Sequence, residues 1–333
     1  MDRPGREAGI SKEDGSMTNA FRSARRLFAR PFATRLVALA ALVSLAATLA
    51  SCGGSDGCSG CGYDTNPNLY AIDYGDTAFV AVGENSTIAN SGDGGNYYQQ
   101  VLAPLGSLLA VTYGDRQWVA TGKDGLVFNS YDSAYWYGYY LPALKTMRGA
   151  AWGFGQYVLV GDDGYCFRSF NGGAWLACPT GTGVALRGVA AGLTGFVAVG
   201  DGGTITFSPD GLDWRVQPSP TEEALLGIGA KDGLFIAVGN YGTILRSVGG
   251  REWERIPSPT GANLTDAVVL DGFIAIVGQG GTILTSTDQG RTFQQQISPT
   301  NRNLWGVTYG RGTFAAVGNN AKIVNSFDGF YWF

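Results

Sequence analysis

The stretch that decides the fold is FVAVGDGGTITFSPDGLDW, residues 196–214. It holds an apolar run that ends at Gly200, a glycine-rich turn, a second apolar run that ends at Ser208, and an aromatic residue, Trp214, six positions later. Short apolar runs separated by glycine-rich turns are typical of antiparallel strands. The same pattern occurs seven times in the 333-residue chain. A repeat of this length is a strong indicator of architecture, because each copy is one supersecondary unit.

The seven copies keep one register. A glycine ends the second apolar strand of each copy, at spacings of 39 residues and, once, 40. These are Gly83, Gly122, Gly161, Gly200, Gly239, Gly278 and Gly318. Eight residues later comes a serine: Ser91, Ser130, Ser169, Ser208, Ser247, Ser286 and Ser326. An aromatic residue follows: Tyr97, Trp136, Trp175, Trp214, Trp253, Phe293 and Trp332. A leucine or methionine opens each copy: Leu69, Leu108, Met147, Leu186, Leu225, Leu264 and Leu304.

Each copy predicts four short strands, which in the fourth copy cover residues 186–191, 196–199, 204–207 and 214–217. Four strands in about 40 residues, repeated in series, predict a β-propeller. A linear solenoid would need atypical polar copies at its ends, whereas the first and last copies here resemble the middle ones. We therefore predict an all-β, seven-bladed β-propeller over residues 69–333. The strand valines and the aromatic residues Trp136, Trp175, Trp214, Trp253 and Phe293 should be buried between blades.

The turn between the third and fourth strands carries a signature. In the sixth copy it reads Ser-Thr-Asp-Gln-Gly-Arg-Thr-Phe from Ser286 to Phe293, which resembles the Asp-box of sialidase-like (BNR) repeats. Versions shorter by one residue contain Ser91 with Asp93, Ser208 with Asp210, and Ser326 with Asp328; the full version pairs Ser286 with Asp288. Serine and aspartate oxygens accept backbone N–H groups in tight turns. We expect these carboxylates to cap hairpins and not to act as a catalytic pair.

The short Asp-box, the Phe-Val-Ala-Val-Gly strand and the Gly-Thr-Ile strand together resemble the photosystem II stability/assembly factor-like propellers. This resemblance spans residues 69–333. It implies a non-enzymatic, seven-bladed protein that binds or assembles a protein partner, and many relatives are exported bacterial proteins. The photosynthetic members contact their client through an arginine patch, and no dense equivalent is evident in this sequence. The resemblance therefore implies protein binding and transfers no photosystem role.

Residues 1–51 are predicted to form a signal peptide. Five arginines between positions 22 and 35 precede a short apolar run, residues 36–50. That order is typical of export signals and the run is too short to cross a bilayer. Residues 1–16 contain four acidic residues, which favours Met17 as the true start. The general secretory route and the twin-arginine route both remain open.

The leader ends in Leu-Ala-Ser-Cys at Cys52, which resembles the lipobox of bacterial lipoproteins. Cys52 is then the lipidated first residue of a protein anchored in the bacterial cell envelope. The alternative is ordinary cleavage near Ala50, with Cys52 uninvolved. Residues 52–68 would form a flexible tether whose last part docks beside blade seven and closes the ring, because residues 64–69 are similar to residues 299–304.

Composition excludes several functions. The chain has no histidine, which removes Ser-His-Asp and Cys-His nucleophiles and histidine-bound zinc. Residues 52–333 carry 15 basic and 23 acidic residues. That balance disfavours nucleic acid, which attracts clustered positive charge. We expect no cofactor and no metal, a monomer, and membrane contact through the lipid anchor alone.

A candidate binding face follows from the first strands, which should line the central channel. The positions next to the opening leucine or methionine include Tyr70, Arg148, Arg187 and Trp305, and ring closure makes Tyr70 and Trp305 neighbours. Asp266 lies in a channel-facing row that is otherwise glycine and alanine. Tyr241, in a turn between the second and third strands, completes the predicted face. These side chains could equally be ordinary rim residues.

The same register argues against an enzyme. The copies differ by one residue in length, so no loop is enlarged to carry a site, and catalysis usually accumulates in loops. Arg255-Ile256-Pro257 matches a sialidase element in sequence but falls in the fifth copy, not early in the chain. We favour a non-catalytic binding or assembly propeller. A sialidase-like glycoside hydrolase or a carbohydrate-binding propeller is the alternative.

Cysteines provide a separate prediction. Cys166 and Cys178 are equidistant from Gly172 in the turn between the third and fourth strands of the third copy, so they should be directly opposed and form a disulfide. Two free buried thiols are the competing interpretation. Cys58 and Cys61 are expected to form a second, local disulfide, although a small redox loop or a two-thiolate half-site is also compatible with their spacing.

Overall fold

The structure is a computed structural model in which residues 66–102 and 105–333 are described. Seven antiparallel sheets follow one another along the chain, and within each sheet the strands lie in sequence order. Six sheets have four strands and the seventh has three. The short turn between the second and third strand of every blade is a single 3₁₀ turn. The predicted seven-bladed, all-β propeller is confirmed.

The strand bounds show how regular the copies are. Blade one contains β1 (Leu69–Gly75), β2 (Ala78–Gly83), β3 (Thr87–Ser91) and β4 (Tyr98–Val101). Blade two contains β5 (Leu108–Gly114), β6 (Gln117–Gly122), β7 (Leu126–Ser130) and β8 (Tyr137–Tyr140). Blade three contains β9 (Met147–Gly153), β10 (Gln156–Gly161), β11 (Cys166–Ser169) and β12 (Leu176–Ala177). Blade four contains β13 (Leu186–Gly192), β14 (Gly195–Gly200), β15 (Ile205–Ser208) and β16 (Arg215–Gln217).

The remaining blades follow the same plan. Blade five contains β17 (Leu225–Lys231), β18 (Leu234–Gly239), β19 (Ile244–Val248) and β20 (Glu254–Ile256). Blade six contains β21 (Leu264–Val269), β22 (Ile274–Gly278), β23 (Ile283–Ser286) and β24 (Gln294–Gln295). Blade seven contains β25 (Leu304–Gly310), β26 (Thr313–Gly318) and β27 (Ile323–Ser326). Phe333 exchanges two backbone hydrogen bonds with Asn325 and so begins a fourth strand there.

Blade one packs directly on blade seven. The N–H of Ala321 donates to the carbonyl of Pro67 at 2.7 Å, and the N–H of Asn320 donates to Oδ1 of Asn68 at 2.9 Å. In the first blade the equivalent N–H, that of Ser86, donates to the carbonyl of Gly106, which precedes blade two. Pro67 therefore occupies on blade seven the place that Gly106 occupies on blade one. Residues 52–65 lie outside the described residues, so the predicted tether stays a prediction.

The hydrophobic core is divided among the seams between blades. The second strands are almost wholly buried, and each aromatic residue at the repeat position packs in a cluster that includes side chains of the preceding blade. Trp214, 7% exposed, packs with Val158 and Val160 of blade three. Burial of Trp214 and Phe293 is as predicted.

The prediction of full burial was wrong for three of the aromatic residues: Trp136, Trp175 and Trp253 are half-buried. Trp136 and Trp253 each donate their indole N–H to a turn carbonyl three residues earlier. Trp175 donates its own to the hydroxyl of Tyr139 at 2.7 Å. An indole is large and amphipathic, so it readily leaves one edge in solvent while the rest packs.

Polar side chains also connect neighbouring blades. The Nδ2 group of Asn90 donates to the carbonyl of Ser133 in the next blade, and Asn129 does the same to Gly172. Asn325 donates to Gly94 across the seam between blades seven and one, at 2.9 Å. Each bond joins a third strand to the turn between the third and fourth strands of the following blade. The seams are therefore fixed by directional bonds as well as by apolar packing.

The predicted disulfide between Cys166 and Cys178 is confirmed. The N–H of Cys178 donates to the carbonyl of Cys166 at 2.9 Å, and their Cα atoms are 5.0 Å apart, so the two residues are directly opposed in the β11–β12 ladder. Cys52, Cys58 and Cys61 lie outside the described residues. In the described part of the chain, no helix has the length and hydropathy to cross a membrane.

Candidate binding site at the channel mouth

The seven first strands surround a cavity of about 360 Å³ on the ring axis. Small residues are required where these strands converge. A Cβ atom added to Gly227 would lie 2.3 Å from the carbonyl oxygen of Thr265 in the next blade. The prediction that the first strands line a central channel is therefore confirmed.

An aromatic pair lies at this mouth. The rings of Tyr70 and Trp305 have centroids 6.3 Å apart in an edge-on arrangement, as ring closure predicted. The Tyr70 hydroxyl donates to Oε1 of Glu84 at 2.8 Å, and the Trp305 indole N–H donates to Oδ1 of Asn319. Burial, together with the neighbouring Glu84 carboxylate, raises the pKa of Tyr70 to about 12. Both rings are thus held by a polar partner while their faces border the cavity.

Two arginines lie on the same lining, and each is paired with an aspartate. Arg148 donates from Nε to Asp162 at 2.6 Å and from Nη2 at 3.3 Å. Arg187 donates from Nε and Nη2 to the two oxygens of Asp201. Bidentate pairs of this kind fix the guanidinium plane. The arginines therefore add directed donors to the mouth but no uncompensated positive charge.

Sequence reasoning missed the partners of these four residues. Each partner is 14 positions after its rim residue, directly after the glycine that ends the second strand: Glu84 for Tyr70, Asp162 for Arg148, Asp201 for Arg187, and Asn319 for Trp305. The signal was available, because the repeat register places the two positions beside each other in every blade. Blades with Leu109 or Leu226 at the rim position have no such polar pair.

The channel also contains two half-buried carboxylates, Asp73 and Asp266. Asp266 accepts the N–H groups of Ala267 and, across the seam to blade seven, Val307 at 3.0 Å. Asp73 accepts the N–H groups of Tyr74 and, across the seam to blade two, Tyr113 at 3.0 Å. Both side chains therefore tie neighbouring blades together at the axis.

Desolvation raises the pKa of Asp73 to about 6 and that of Asp266 to about 7, and the charge of Asp73 adds to the effect on Asp266. The sequence singled out Asp266 because it breaks a row of small residues. It missed Asp73, which lies two positions further along its strand. Within the described residues there is no group of three acidic or cysteine side chains that could hold a metal ion.

Tyr241 lies elsewhere. Its side chain is 70% exposed and lines a separate cleft of about 440 Å³ with Arg255, Ile256 and Pro257. It does not line the central cavity. The structure therefore brings Tyr70, Trp305, Arg148, Arg187 and Asp266 together around one cavity and leaves Tyr241 outside that group.

The aspartates of the Ser-Asp turns are engaged locally. Asp288 accepts the N–H groups of Arg291 and Thr292 and the hydroxyl of Ser286, and these bonds lower its pKa to about 2. The shorter turns show the same bonds between Ser91 and Asp93, Ser208 and Asp210, and Ser326 and Asp328. Asp132, which the sequence analysis did not single out, adopts the same arrangement in blade two. Each carboxylate faces its own hairpin.

No family model matches the chain, and no curated protein matches it. Solved structures do. A structure described as "YCF48 bound to D1 peptide" is 20% identical and has a TM-score of 0.64, over 78% of this chain and 92% of that chain. "YCF48 from Cyanidioschyzon merolae" is 17% identical, with a TM-score of 0.63, over 79% of this chain and 96% of that one. The WD40 repeats of RRP9 are 11% identical, with a TM-score of 0.64, over 76% and 88%. At these identities the likeness shows the propeller fold alone.

Proposed function

We propose that this propeller is a non-catalytic binding or assembly protein that holds a protein partner at the mouth of its channel. The observation that carries the proposal is the convergence of the Tyr70–Trp305 pair with the Arg148–Asp162 and Arg187–Asp201 pairs around one cavity. Tryptophan, tyrosine and arginine are the side chains that most often dominate binding energy at protein interfaces.

The geometry also fits binding better than chemistry. The side chains at the mouth are fixed by their own partners, so little rotamer freedom remains to be lost on association. Because each arginine is neutralised by an aspartate, the mouth is suited to a partner that supplies apolar groups and hydrogen-bond acceptors, and affinity should depend weakly on salt. The D1 peptide in the similar YCF48 structure supports a protein ligand here.

Site-specific photocross-linking tests this proposal. A benzophenone amino acid replaces Tyr70 in the protein produced in its own cell envelope, and a matched variant carries it at exposed Tyr241 outside the cavity. The proposal expects one dominant adduct from position 70 and at most a weak, diffuse pattern from position 241. Equal adduct patterns from the two positions, or no adduct from position 70, would contradict it.

Carbohydrate binding or hydrolysis is the second candidate, and one observation favours it. The channel holds two carboxylates whose pKa values are raised into the range used by general acids, and the same cavity is lined by an aromatic pair that could stack on a sugar. Against it, each carboxylate accepts backbone N–H groups across a seam. Turnover of sialosides or β-glucans that is lost in both Asp73→Asn and Asp266→Asn would establish this candidate and overturn the first.

We further propose that the protein is exported and anchored by a lipid at Cys52 in a bacterial envelope. The lipobox-like sequence and the tether that follows support this location. Metabolic labelling with a radioactive fatty acid should mark the wild-type protein and leave Cys52→Ser unlabelled. Equal labelling of both would contradict anchoring at Cys52.

A further inference from the structure

The outer strands of the seven blades are not protected equally against pairing with another chain. An outer strand has one free edge of backbone N–H and C=O groups, and proteins usually block such edges with proline, charge or shortness. The repeat register identifies the equivalent position in each blade, four residues after the aromatic residue. That position is Pro179 in blade three, Pro218 in blade four and Pro257 in blade five.

Blade two lacks all three kinds of protection. Its outer strand, β8, has four residues, as does β4 of blade one, whereas β12 and β24 have two and β16 and β20 have three. Blade one also lacks the proline, because Val101 occupies its position, and blade two differs from it in having four exposed tyrosines around the edge. The protected position holds Tyr140 instead of proline. Residues 125–144 contain one charged residue, Asp132, whose carboxylate is engaged in its own turn. By contrast, β16 carries Arg215, and β20 carries Glu254 and Arg255.

The free edge of β8 is exposed and rigidly held. The N–H of Leu141 donates inward to the carbonyl of Gly125, so alternation turns the N–H and C=O groups of Gly138 and Tyr140 outward. No strand lies beyond β8 in the described part of the sheet. Tyr139 anchors the strand to blade three, because its hydroxyl donates to the carbonyl of Gly172 and accepts the indole N–H of Trp175.

The side chains around this edge are those of a protein-binding surface. Tyr137 is 70% exposed and Tyr140 46%, and Tyr131 and Tyr135 in the adjoining turn are equally open. The rest of this turn, between β7 and β8, consists of Asp132, Ser133, Ala134 and the half-buried Trp136. Tyrosine with small polar residues gives large, rigid and adaptable contacts, as in antibody paratopes. Asp132 is the one charged residue of this surface, and its Oδ1 is engaged by its own turn, so the surface offers little to a charged ligand.

We infer that the edge of β8 takes an extended, uncharged peptide segment of a partner protein as an added strand. The outward backbone groups of Gly138 and Tyr140 would pair with the peptide backbone, and the tyrosines would contact its alternate side chains. A second copy of the chain fits poorly, because a four-residue edge only ~13 Å long offers a narrow strip of contact, whereas a stable dimer buries ~800 Å² per partner. A glycan has no regularly spaced amides to complete the ladder.

This inference does not depend on binding at the channel mouth. Its test uses a synthetic peptide whose sequence favours an extended strand. The probe is an acetylated and amidated peptide of about ten alternating threonine and valine residues, titrated into the isotope-labelled protein and followed by NMR. We expect saturable binding and amide exchange at Gly138 and Tyr140 slowed at least about tenfold. Tyr140→Pro, which copies blades three to five, should weaken binding at least about tenfold.

Two controls keep the result interpretable. Val101→Pro places proline at the equivalent position of blade one and should leave protection at Gly138 unchanged. A peptide N-methylated at alternate residues keeps its side chains but loses the ladder, and should bind at least about tenfold more weakly. No saturable binding, equal binding of the methylated peptide, or absent protection at Gly138 and Tyr140 would overturn the inference. So would a neutral oligosaccharide such as maltohexaose that displaces the peptide from the tyrosines.

Discussion

Blades two and four are copies of one repeat, yet their outer strands end differently. Blade four closes its edge with Pro218 directly after β16, and blade two leaves the same position to Tyr140 at the end of a longer strand. Their inner parts are almost interchangeable: both bury the second strand completely and both open on a buried leucine. The comparison teaches that positions shared by all copies form the ring, whereas surface function is to be sought where the copies differ.

The largest predicted effect concerns a shared position. Trp214→Ala in blade four should lower the free energy of unfolding by ~3–5 kcal/mol, because a buried indole is removed from the seam with blade three. Denaturant titration measures the change. The matched variant is Trp175→Ala in blade three, where the indole is only half-buried, and the loss should be clearly smaller. A loss below ~1 kcal/mol for Trp214→Ala would show that the indole contributes little to the seam.

Among the described blades only blade three contains a disulfide, so removing it tests a feature that the repeat does not share. Replacing Cys166 and Cys178 together by serine should lower the free energy of unfolding by ~2–3 kcal/mol, as expected for a bridge that closes a loop of about a dozen residues. Mass spectrometry of non-reduced digests provides the chemical check. Free thiols at both positions in protein isolated from cells under non-reducing conditions would mean that the bridge does not form.

The channel carboxylates predict an unusual pH dependence. The pKa of Asp266 rises from below 4 in the unfolded chain to about 7 in the folded one. Between these values the folded protein holds a proton that the unfolded chain has released, so stability falls as pH rises from 4 to 7. Asp266→Asn should flatten this slope and raise the free energy of unfolding at pH 8 by ~1–2 kcal/mol.

A second aspartate gives the control for that slope. Backbone N–H groups of Asp213 and Leu212 lower the pKa of Asp210, so its contribution is lost only when the pH falls through the acid range. Asp210→Asn should therefore lower stability by a nearly constant amount above about pH 4, lose this difference as the pH falls further, and leave the slope between pH 4 and 7 intact. An unchanged slope in Asp266→Asn, measured by denaturation at several pH values, would contradict the assignment.

The smallest predicted effect lies at the edge position itself. Tyr140→Pro should change the free energy of unfolding by less than ~0.5 kcal/mol, because the N–H that proline removes points away from the sheet. Thermal denaturation of this variant beside Pro218→Ala measures it. A loss above ~2 kcal/mol would mean that the N–H of Tyr140 is used within the blade, and the difference between the two edges would then be structural.

The fold was predictable in detail because a 39-residue register leaves little freedom. The same register correctly opposed Cys166 to Cys178 and placed Tyr70 next to Trp305. The side-chain contacts at the channel mouth were harder to predict from the sequence. The neutralising partners Asp162 and Asp201 lie 14 residues downstream, a spacing that recurs in every blade, but whether the side chains meet depends on the bulge between the first two strands.

Other features required coordinates for a physical reason. Asp73 looks like an ordinary polar residue of a half-exposed strand, and its burial depends on the convergence of seven blades. The extent to which each indole is covered depends on the neighbouring blade's side chains, which the repeat does not specify. Tyr241 shares a face in sequence with the rim residues but extends from a 3₁₀ turn into another cleft.

The most direct test of the central claim, that the channel mouth binds a protein partner, is an exchange of one ion pair. The double variant Arg187→Asp with Asp201→Arg keeps the net charge and the ion pair, but it exchanges the positions of the guanidinium and the carboxylate at the mouth. Binding of the partner captured through position 70 is then measured by calorimetry for the wild type and the exchanged variant. We predict unfolding within ~1 kcal/mol of the wild type, since exposed pairs contribute little, and at least about tenfold weaker binding. Unchanged affinity would contradict the claim.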